Sequence, residues 1–154
     1  GGVSVGDFDI VKDAMLEVGA AMDFWKVAMK PGKPLAVGSI GSIPLFGLPG
    51  NPVSCLVSYH QFVKPWIMRS LGNVDWAPKS CKALLVEDYV KRHGRMEFIR
   101  VRCWTENDQL FCKPTGNQSS AWLCSMAQGN GFLKIPMASK GFDAGTMVSV
   151  ELFD

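Results

Sequence analysis

Ile43-Pro-Leu-Phe-Gly-Leu-Pro-Gly-Asn-Pro-Val-Ser54 decides how the first half of the chain is read. Ile43 to Leu48 is short and apolar, the pattern of a buried strand, and Pro49-Gly50 turns the chain. Asn51 is a favoured N-cap, and Pro52 has a fixed φ that suits the first helical position. Val53, Leu56, Val57, Val63, Ile67 and Leu71 then recur with approximately helical spacing, and Gly72 stands where the helix should end. The N–H groups of Val53, Ser54 and Cys55 are expected to lack partners within the helix and to point toward the strand end. Such a helix start favours an anion, through its free donors and its partial positive charge. Pro-Gly-Asn-Pro is also an ordinary way to turn a strand into a helix, so the stretch assigns no function alone.

Working outward, Pro65 lies inside the helix and removes one helical hydrogen bond, which predicts a kink near Gln61 to Lys64. Upstream, Gly1-Gly-Val-Ser-Val-Gly-Asp-Phe-Asp9 is a glycine-rich loop. Asp7 can cap a helix whose apolar positions are Ile10, Val11, Ala14 and Val18, closed by Gly19. Phe24 to Met29 reads as a strand, and Lys30-Pro-Gly-Lys-Pro34 as a loop. Leu35 to Val37 and Ile43 to Leu48 form a hairpin about the Gly- and Ser-rich turn at 38–42. Strand and helix in alternation is the signature of a layered α/β domain with working loops at its strand ends.

The character changes after Gly72. Asn73 to Ser80 reads as a linker, followed by strands at Lys82 to Val90, Arg95 to Trp104 and Gln109 to Lys113. Thr105-Glu-Asn-Asp108 turns between the last two. Ser119 or Ser120 caps a short helix to about Gln128, and Gly131 to Ile135 and Met147 to Phe153 add two strands around the Gly141/Gly145 turn region. This pattern predicts a small β-barrel or roll. The chain therefore reads as two domains, 1–74 and 75–154, with the boundary within Gly72 to Lys79.

With 154 residues, 47% hydrophobic and 19% charged, the chain can bury one core or two small ones. A net charge of +2 with no basic run gives no case for nucleic acid or an anionic membrane. No apolar run approaches the ~18 residues of a membrane span, and no signal peptide opens the sequence. The five cysteines are odd in number and include no C-x-x-C pair, which points to reduced thiols in a cytoplasmic protein and against structural zinc. Cys55 and Cys124 are expected in the core. His60 reads as a partly buried packing residue on the long helix, and His93 as part of a polar turn. The opening Gly1-Gly2, without an initiator Met, resembles the turn after a strand and suggests a fragment.

Three loops share an expected address: 1–9, 30–34 and 48–54. If their strands are parallel neighbours, all three emerge on one sheet edge. Together they offer backbone donors, ammonium groups and carboxylates, a set that suits a phosphorylated substrate with a bound divalent ion. Each residue also has an ordinary role: Asp7 as a cap, Asp9 as a partner of the helix dipole, Lys26 on an exposed strand face, Lys33 as a solvated charge.

Gly-Gly-Val-Ser-Val-Gly-Asp-x-Asp9, Phe24-Trp-Lys-x-x-x-Lys-Pro-Gly-Lys-Pro34, Gly47-Leu-Pro-Gly-Asn-Pro-Val-Ser54 and Thr115-Gly-Asn-Gln-Ser-Ser120, in that order, resemble the MoeA/gephyrin E-domain family. The resemblance runs the length of the chain, and the motifs match jointly with their spacings. It implies an α/β three-layer fold of the MogA type, truncated at its N-terminus, followed by a small C-terminal β-barrel. It also implies a molybdopterin molybdotransferase: molybdate is inserted into adenylylated molybdopterin with release of AMP, in a homodimer dependent on Mg²⁺. Domains that complete the family's dimer and cleft precede the part matched here.

Carried over by residue, Asp9, Lys26 and Lys30 are the implied catalytic groups, with Asp7 and Asp9 as metal ligands. Ser4, Gly6, Lys33, Gly50, Asn51, Ser54, Arg100 and Ser120 are implied to bind substrate. A gephyrin-like scaffold that binds a peptide on Trp104, Phe111 or Trp122 is a rival reading. A MogA-type adenylyltransferase is another, opposed by the β module after residue 76. An oligonucleotide-binding barrel ranks last, for want of a basic patch interleaved with aromatics.

Overall fold

The computed structural model describes residues 10–153, with Lys12 described by its backbone alone. The chain divides into two compact units, Gly1–Trp76 and Ala77–Asp154.

In the first unit, α1 (Val11–Glu17) is followed by four strands: β1 (Ala21–Trp25), β2 (Met29–Lys30), β3 (Ala36–Ile40) and β4 (Ile43–Gly47). Gly19 ends α1 with a φ of +78°, Ala20 N–H bonding to Met15 O and Gly19 N–H to Leu16 O, both at 2.9 Å. That double closure needs a left-handed residue, which glycine adopts without strain. The capping expected of Asp7 lies outside the described residues. Met15, Ala20 and Ala36 form a small core with Val11, Met22, Trp25 and Leu45 packed against it.

β1, β3 and β4 form a sheet in that order, antiparallel throughout. β1 and β4, expected as parallel neighbours, run the same way but are separated by β3, and the three-layer MogA-like arrangement is only partly present in the described unit. The β3–β4 pair is the expected hairpin, with Ile40 paired to Ile43 so that the predicted turn at 38–42 shrinks to Gly41-Ser42. Gly38 belongs to β3 instead, where any β-carbon would collide with the Ala21 carbonyl of β1. The strand predicted at Phe24 to Met29 is displaced to Ala21–Trp25, because Lys26 takes a φ of 72° and ends it.

The long helix runs as α2 (Pro52–Ser58), a π-helical segment (Tyr59–Val63) and α3 (Lys64–Ser70). The irregularity falls where Pro65 was expected to place one, since proline cannot donate to the ladder. Val53 and Val57 are buried. Gly72, at φ +78°, closes α3, with Asn73 N–H bonding to Met68 O and Gly72 N–H to Arg69 O, both at 3.0 Å.

The second unit holds β5 (Ser80–Leu85), β6 (Tyr89–Val90), β7 (Met96–Glu106), β8 (Gln109–Pro114), α4 (Cys124–Gln128), β9 (Gly131–Ile135), β10 (Gly141–Phe142) and β11 (Met147–Leu152). The order β7-β8-β5-β11-β9 closes on itself through β7–β9 pairing, giving the predicted barrel. β6 and β10 pair separately, so the strand expected at Lys82 to Val90 is split. Asn107 and Asp108, at φ 48° and 61°, make the two-residue turn between β7 and β8. Inward side chains from every barrel strand, among them Leu85, Ile99, Val101, Leu133 and Val150, fill the interior.

Cys103 and Cys112 face each other across β7 and β8 in that interior, and burial pushes their thiols up to about 12 and about 11. They take the core places expected of Cys55, which is half-buried, and of Cys124, which is exposed. The buried Lys91 ammonium donates to the carbonyls of Arg95 (3.2 Å), Met137 (2.8 Å) and Pro136.

Candidate functional site

β1 and β4 both run antiparallel to β3, so they share a direction and end at one sheet edge. The segments that follow Trp25 and Gly47 therefore leave from the same edge, as the sequence reading required, but through a meander rather than parallel strands. The third loop, 1–9, with Ser4, Gly6, Asp7 and Asp9, lies outside the described residues.

The segment after β1 folds back on itself: Lys26 N–H bonds to Leu35 O at 3.0 Å and Val27 N–H to Lys33 O at 2.9 Å. Lys26 and Lys33 are exposed and Lys30 is half-buried, while Pro31 and Gly32 between them are buried. Gly32 has a φ of +100°, and a β-carbon there would lie 2.9 Å from Ser58 Oγ, 3.6 Å from Ser54 O and against Met29 Cε. The loop that carries the lysines is thus seated directly on the Ser54–Ser58 face of α2. Ser58 Oγ is buried and has no hydrogen-bond partner among the described residues.

Asn51 occupies the N-cap of α2 with extended backbone and makes no side-chain capping bond. Cys55 N–H bonds to Asn51 O at 2.8 Å, which corrects the expectation that it stays open. Pro52 has no N–H, so the donors that α2 offers at its start are those of Val53 and Ser54. Gly50 is exposed, Asn51 half-buried, and Ser54 6% exposed beneath the lysine loop. Lysine ammonium groups and the open N–H groups of a helix start are both groups that can neutralise an oxyanion or a phosphate.

In the second unit, Arg100 is 1% exposed. Its Nε–H donates to Ser125 Oγ at 3.0 Å, and Nη2 donates to Ser119 O at 3.2 Å and Asn117 O at 3.5 Å. Burial draws the guanidinium down to about 10, still charged at neutral pH. Ser120 is half-buried in the segment between β8 and α4. It is not the cap of α4, whose N-cap is Leu123. Trp104 and Phe111 stack on each other across β7 and β8 at 5.8 Å, and Trp122 is half exposed.

The carboxylates expected to hold Mg²⁺, Asp7 and Asp9, fall outside the described residues. Among the described residues no cluster of His, Cys, Asp or Glu fits a metal ion. Sequence reasoning missed Ser58 and Ser125, and it gave Thr115 and Gln118, inside the Thr115–Ser120 motif, no role in shaping the loop.

Residues 82–153 match the family model of the MoeA C-terminal region (domain IV), and residues 1–69 match that of a probable molybdopterin binding domain. The molybdopterin molybdenumtransferase of Staphylococcus aureus (strain COL) is 36% identical over 152 residues, covering 99% of this chain and 36% of that protein. The enzyme of the same name from Haemophilus influenzae is 36% identical over 156 residues, covering 100% of this chain and 38% of its own length. The chain thus spans little more than a third of the curated relatives it matches.

Among solved structures, the molybdopterin biosynthesis moeA protein of Pyrococcus horikoshii OT3 aligns with a TM-score of 0.73 at 25% identity, over 96% of this chain and 40% of that one. The molybdenum cofactor biosynthesis protein of Pyrococcus furiosus aligns with a TM-score of 0.72 at 27% identity, over 87% of this chain and 46% of that one. With both halves matched in order and relatives covering the whole length, the chain belongs to the MoeA family.

Proposed function

We propose that this chain carries part of a molybdopterin molybdotransferase, which inserts molybdate into adenylylated molybdopterin and releases AMP. The observation that carries the reading is the lysine loop packed on α2 through Gly32, on the sheet edge from which the helix also starts. Molybdate is a dianion and the other substrate carries phosphates, so the site must gather negative charge before reaction. Lys26 and Lys30 supply fixed positive charge, and the N–H groups of Val53 and Ser54 supply oriented dipoles. Such groups lower a barrier when they are already in place as charge develops on the leaving phosphate. Lys33, Gly50 and Asn51 line the same edge.

Asp9, with Asp7 near it in sequence, is the proposed holder of Mg²⁺, which when bound would neutralise phosphate charge. A homodimer is the proposed assembly. The cytoplasm is the proposed compartment, which suits five free thiols. No described helix is long and apolar enough to cross a membrane.

Calorimetric titration of the chain with adenylylated molybdopterin in the presence of molybdate and Mg²⁺ tests the reading. Binding should weaken at least roughly tenfold in Lys30→Ala, as loss of one charge-assisted contact requires. Equal affinity for the wild type and Lys30→Ala would remove the lysine loop from the site.

A further inference from the structure

Cys103 and Cys112 are directly opposite residues of the antiparallel pair β7–β8. Positions in such a pair alternate between two kinds, and the hydrogen bonds around the two cysteines show which kind this is. Cys103 turns both main-chain groups away from β8: its N–H donates to Asn130 Oδ1 at 2.6 Å, and its carbonyl accepts from Asn130 Nδ2 at 2.9 Å. Cys112 O likewise points away from β7, accepting from Val86 N–H at 3.0 Å. Three positions along β7, Arg100 O accepts from Thr115 N–H at 3.0 Å, as a hydrogen-bonded position should. Cys103 and Cys112 are therefore a non-hydrogen-bonded pair, the kind whose side chains approach most closely. The Cα atoms of such a pair lie about 4.5 Å apart, inside the range of about 4.4–6.8 Å that a disulfide spans.

Two features fix this register. The Asn107-Asp108 turn sets the hairpin at one end, and the Asn130 amide holds the Cys103 backbone as a strand partner would. Both side chains face the barrel interior, Cys103 4% and Cys112 0% exposed. A third thiol packed against that interior, Cys81 on β5, is half-buried and donates to Val150 O at 3.6 Å.

We propose that Cys103 and Cys112 are a modification site: a peroxide oxidises the pair to one disulfide that staples β7 to β8 in the register they already hold. One thiol gives up its proton, and its thiolate attacks the peroxide O–O bond, leaving a sulfenic acid and one water. The second sulfur then displaces that hydroxyl group, the S–S bond forms, and a second water leaves. In all, two thiols lose two electrons and two protons, and the peroxide takes up both. Burial keeps the protons on the sulfurs, so the pair reacts slowly and stays reduced until oxidant persists. Burial also bars a bulky oxidant. Oxidised glutathione meets Cys124, which is exposed, before either barrel thiol.

The test treats the folded chain with hydrogen peroxide, then unfolds it and alkylates every remaining thiol. Arg102 and Lys113 bound one tryptic peptide, Cys103 to Lys113, that carries both cysteines. Mass spectrometry should find it two hydrogens lighter and unalkylated, and dithiothreitol should return both thiols. In chain oxidised after unfolding in urea, the same cysteines should also be found joined to Cys81 and Cys124. The oxidised chain should resist urea better, its unfolding equilibrium constant lowered roughly tenfold or more, because the closed loop restricts the unfolded state. That gain should vanish in Cys112→Ala and persist in Cys81→Ala. If Cys112→Ala does not fold, the wild-type peptide masses carry the test alone.

A peptide that still takes two alkyl groups after Cys124 is fully oxidised would overturn the proposal. Sulfinic acids in place of the S–S bond would do the same. So would a mixture of partners from the folded chain, or an oxidised chain that unfolds more easily, since the native register would then not hold the two sulfurs within bonding reach. Glutathione attached to Cys103 or Cys112 in the folded chain would contradict a site open to small oxidants alone.

Discussion

In the first unit the lysine loop is held by shape. Gly32 lies so close to Met29 and Ser58 that no side chain fits there, and the charged residues on either side are left outward or half-buried. In the second unit the Thr115–Ser125 loop is held by polar bonds, converging on one buried arginine. Both arrangements present polar groups on a short loop beside a rigid element. A loop held by shape should tolerate changes of charge and fail on added volume. A loop held by a buried fork should tolerate changes on its surface and fail when one anchor is lost.

The largest effect expected from this contrast is in the barrel. Arg100→Ala should destabilise the second unit by about 3 kcal/mol in urea unfolding, since it removes a buried charged donor with three acceptors. Ser119→Ala, at an exposed position of the same loop, should stay within about 0.5 kcal/mol. In the first unit the ranking reverses. Gly32→Ala should cost about 2 kcal/mol, because a φ of +100° and the contact with Ser58 both oppose a β-carbon. Lys33→Ala beside it should be nearly silent in thermal melting. Equal costs at Gly32 and Lys33 would break the distinction between the two loops.

A third effect separates the units by pH. Below pH 9 both the folded and unfolded states keep the thiol protons of Cys103 and Cys112. Above it the unfolded chain releases them, while the barrel holds them to about 12 and about 11. The unfolded state then binds fewer protons, so stability falls as pH rises. The limiting slope is about 1.4 kcal/mol per pH unit for each thiol. Arg100 acts in the opposite sense, but only above its folded value of about 10. Unfolding followed from pH 8 to 10 should show the second unit weakening, and Cys103→Ala with Cys112→Ala should flatten that dependence. The smallest effect is a gain: Asp108→Gly, at φ 61° in the β7–β8 turn, should stabilise the barrel by about 0.5 kcal/mol in the same assay.

How far each unit could be read in advance follows the same divide. Local signals were sufficient for α1 and its stop at Gly19, for the helix from Pro52 to Gly72 and its break upstream of Pro65, and for most of the barrel strands. Each depends on periodicity or a punctuating residue within a few positions. What went unread was non-local. Nothing near Lys26 announces its positive φ, so the strand was placed too late. Gly38 resembles a turn glycine, but its reason is the Ala21 carbonyl of a neighbouring strand.

The burial of Arg100 depends on Thr115 to Ser125, well downstream, and a strand arginine gives no sign of what will cover it. Cys103 and Cys112 are buried because β7 and β8 set them opposite each other on the inner face, a matter of register rather than of residue type. On the candidate site, the sequence put Lys30 and Lys33 on one loop, Lys26 on the strand before it, and the helix start at Asn51. The seating of that loop through Gly32 on Ser54 and Ser58 is a contact between residues far apart in sequence, which no local pattern signals.

The most direct measurement of the central claim is AMP release from adenylylated molybdopterin by the full-length protein that contains this chain. It should be followed with and without molybdate, in the wild type and in Lys30→Ala. We predict molybdate-dependent release by the wild type and a loss of roughly a hundredfold in the variant, the scale of removing one preorganised electrostatic contact. No release by the wild type, or equal rates in the two proteins, would contradict the account.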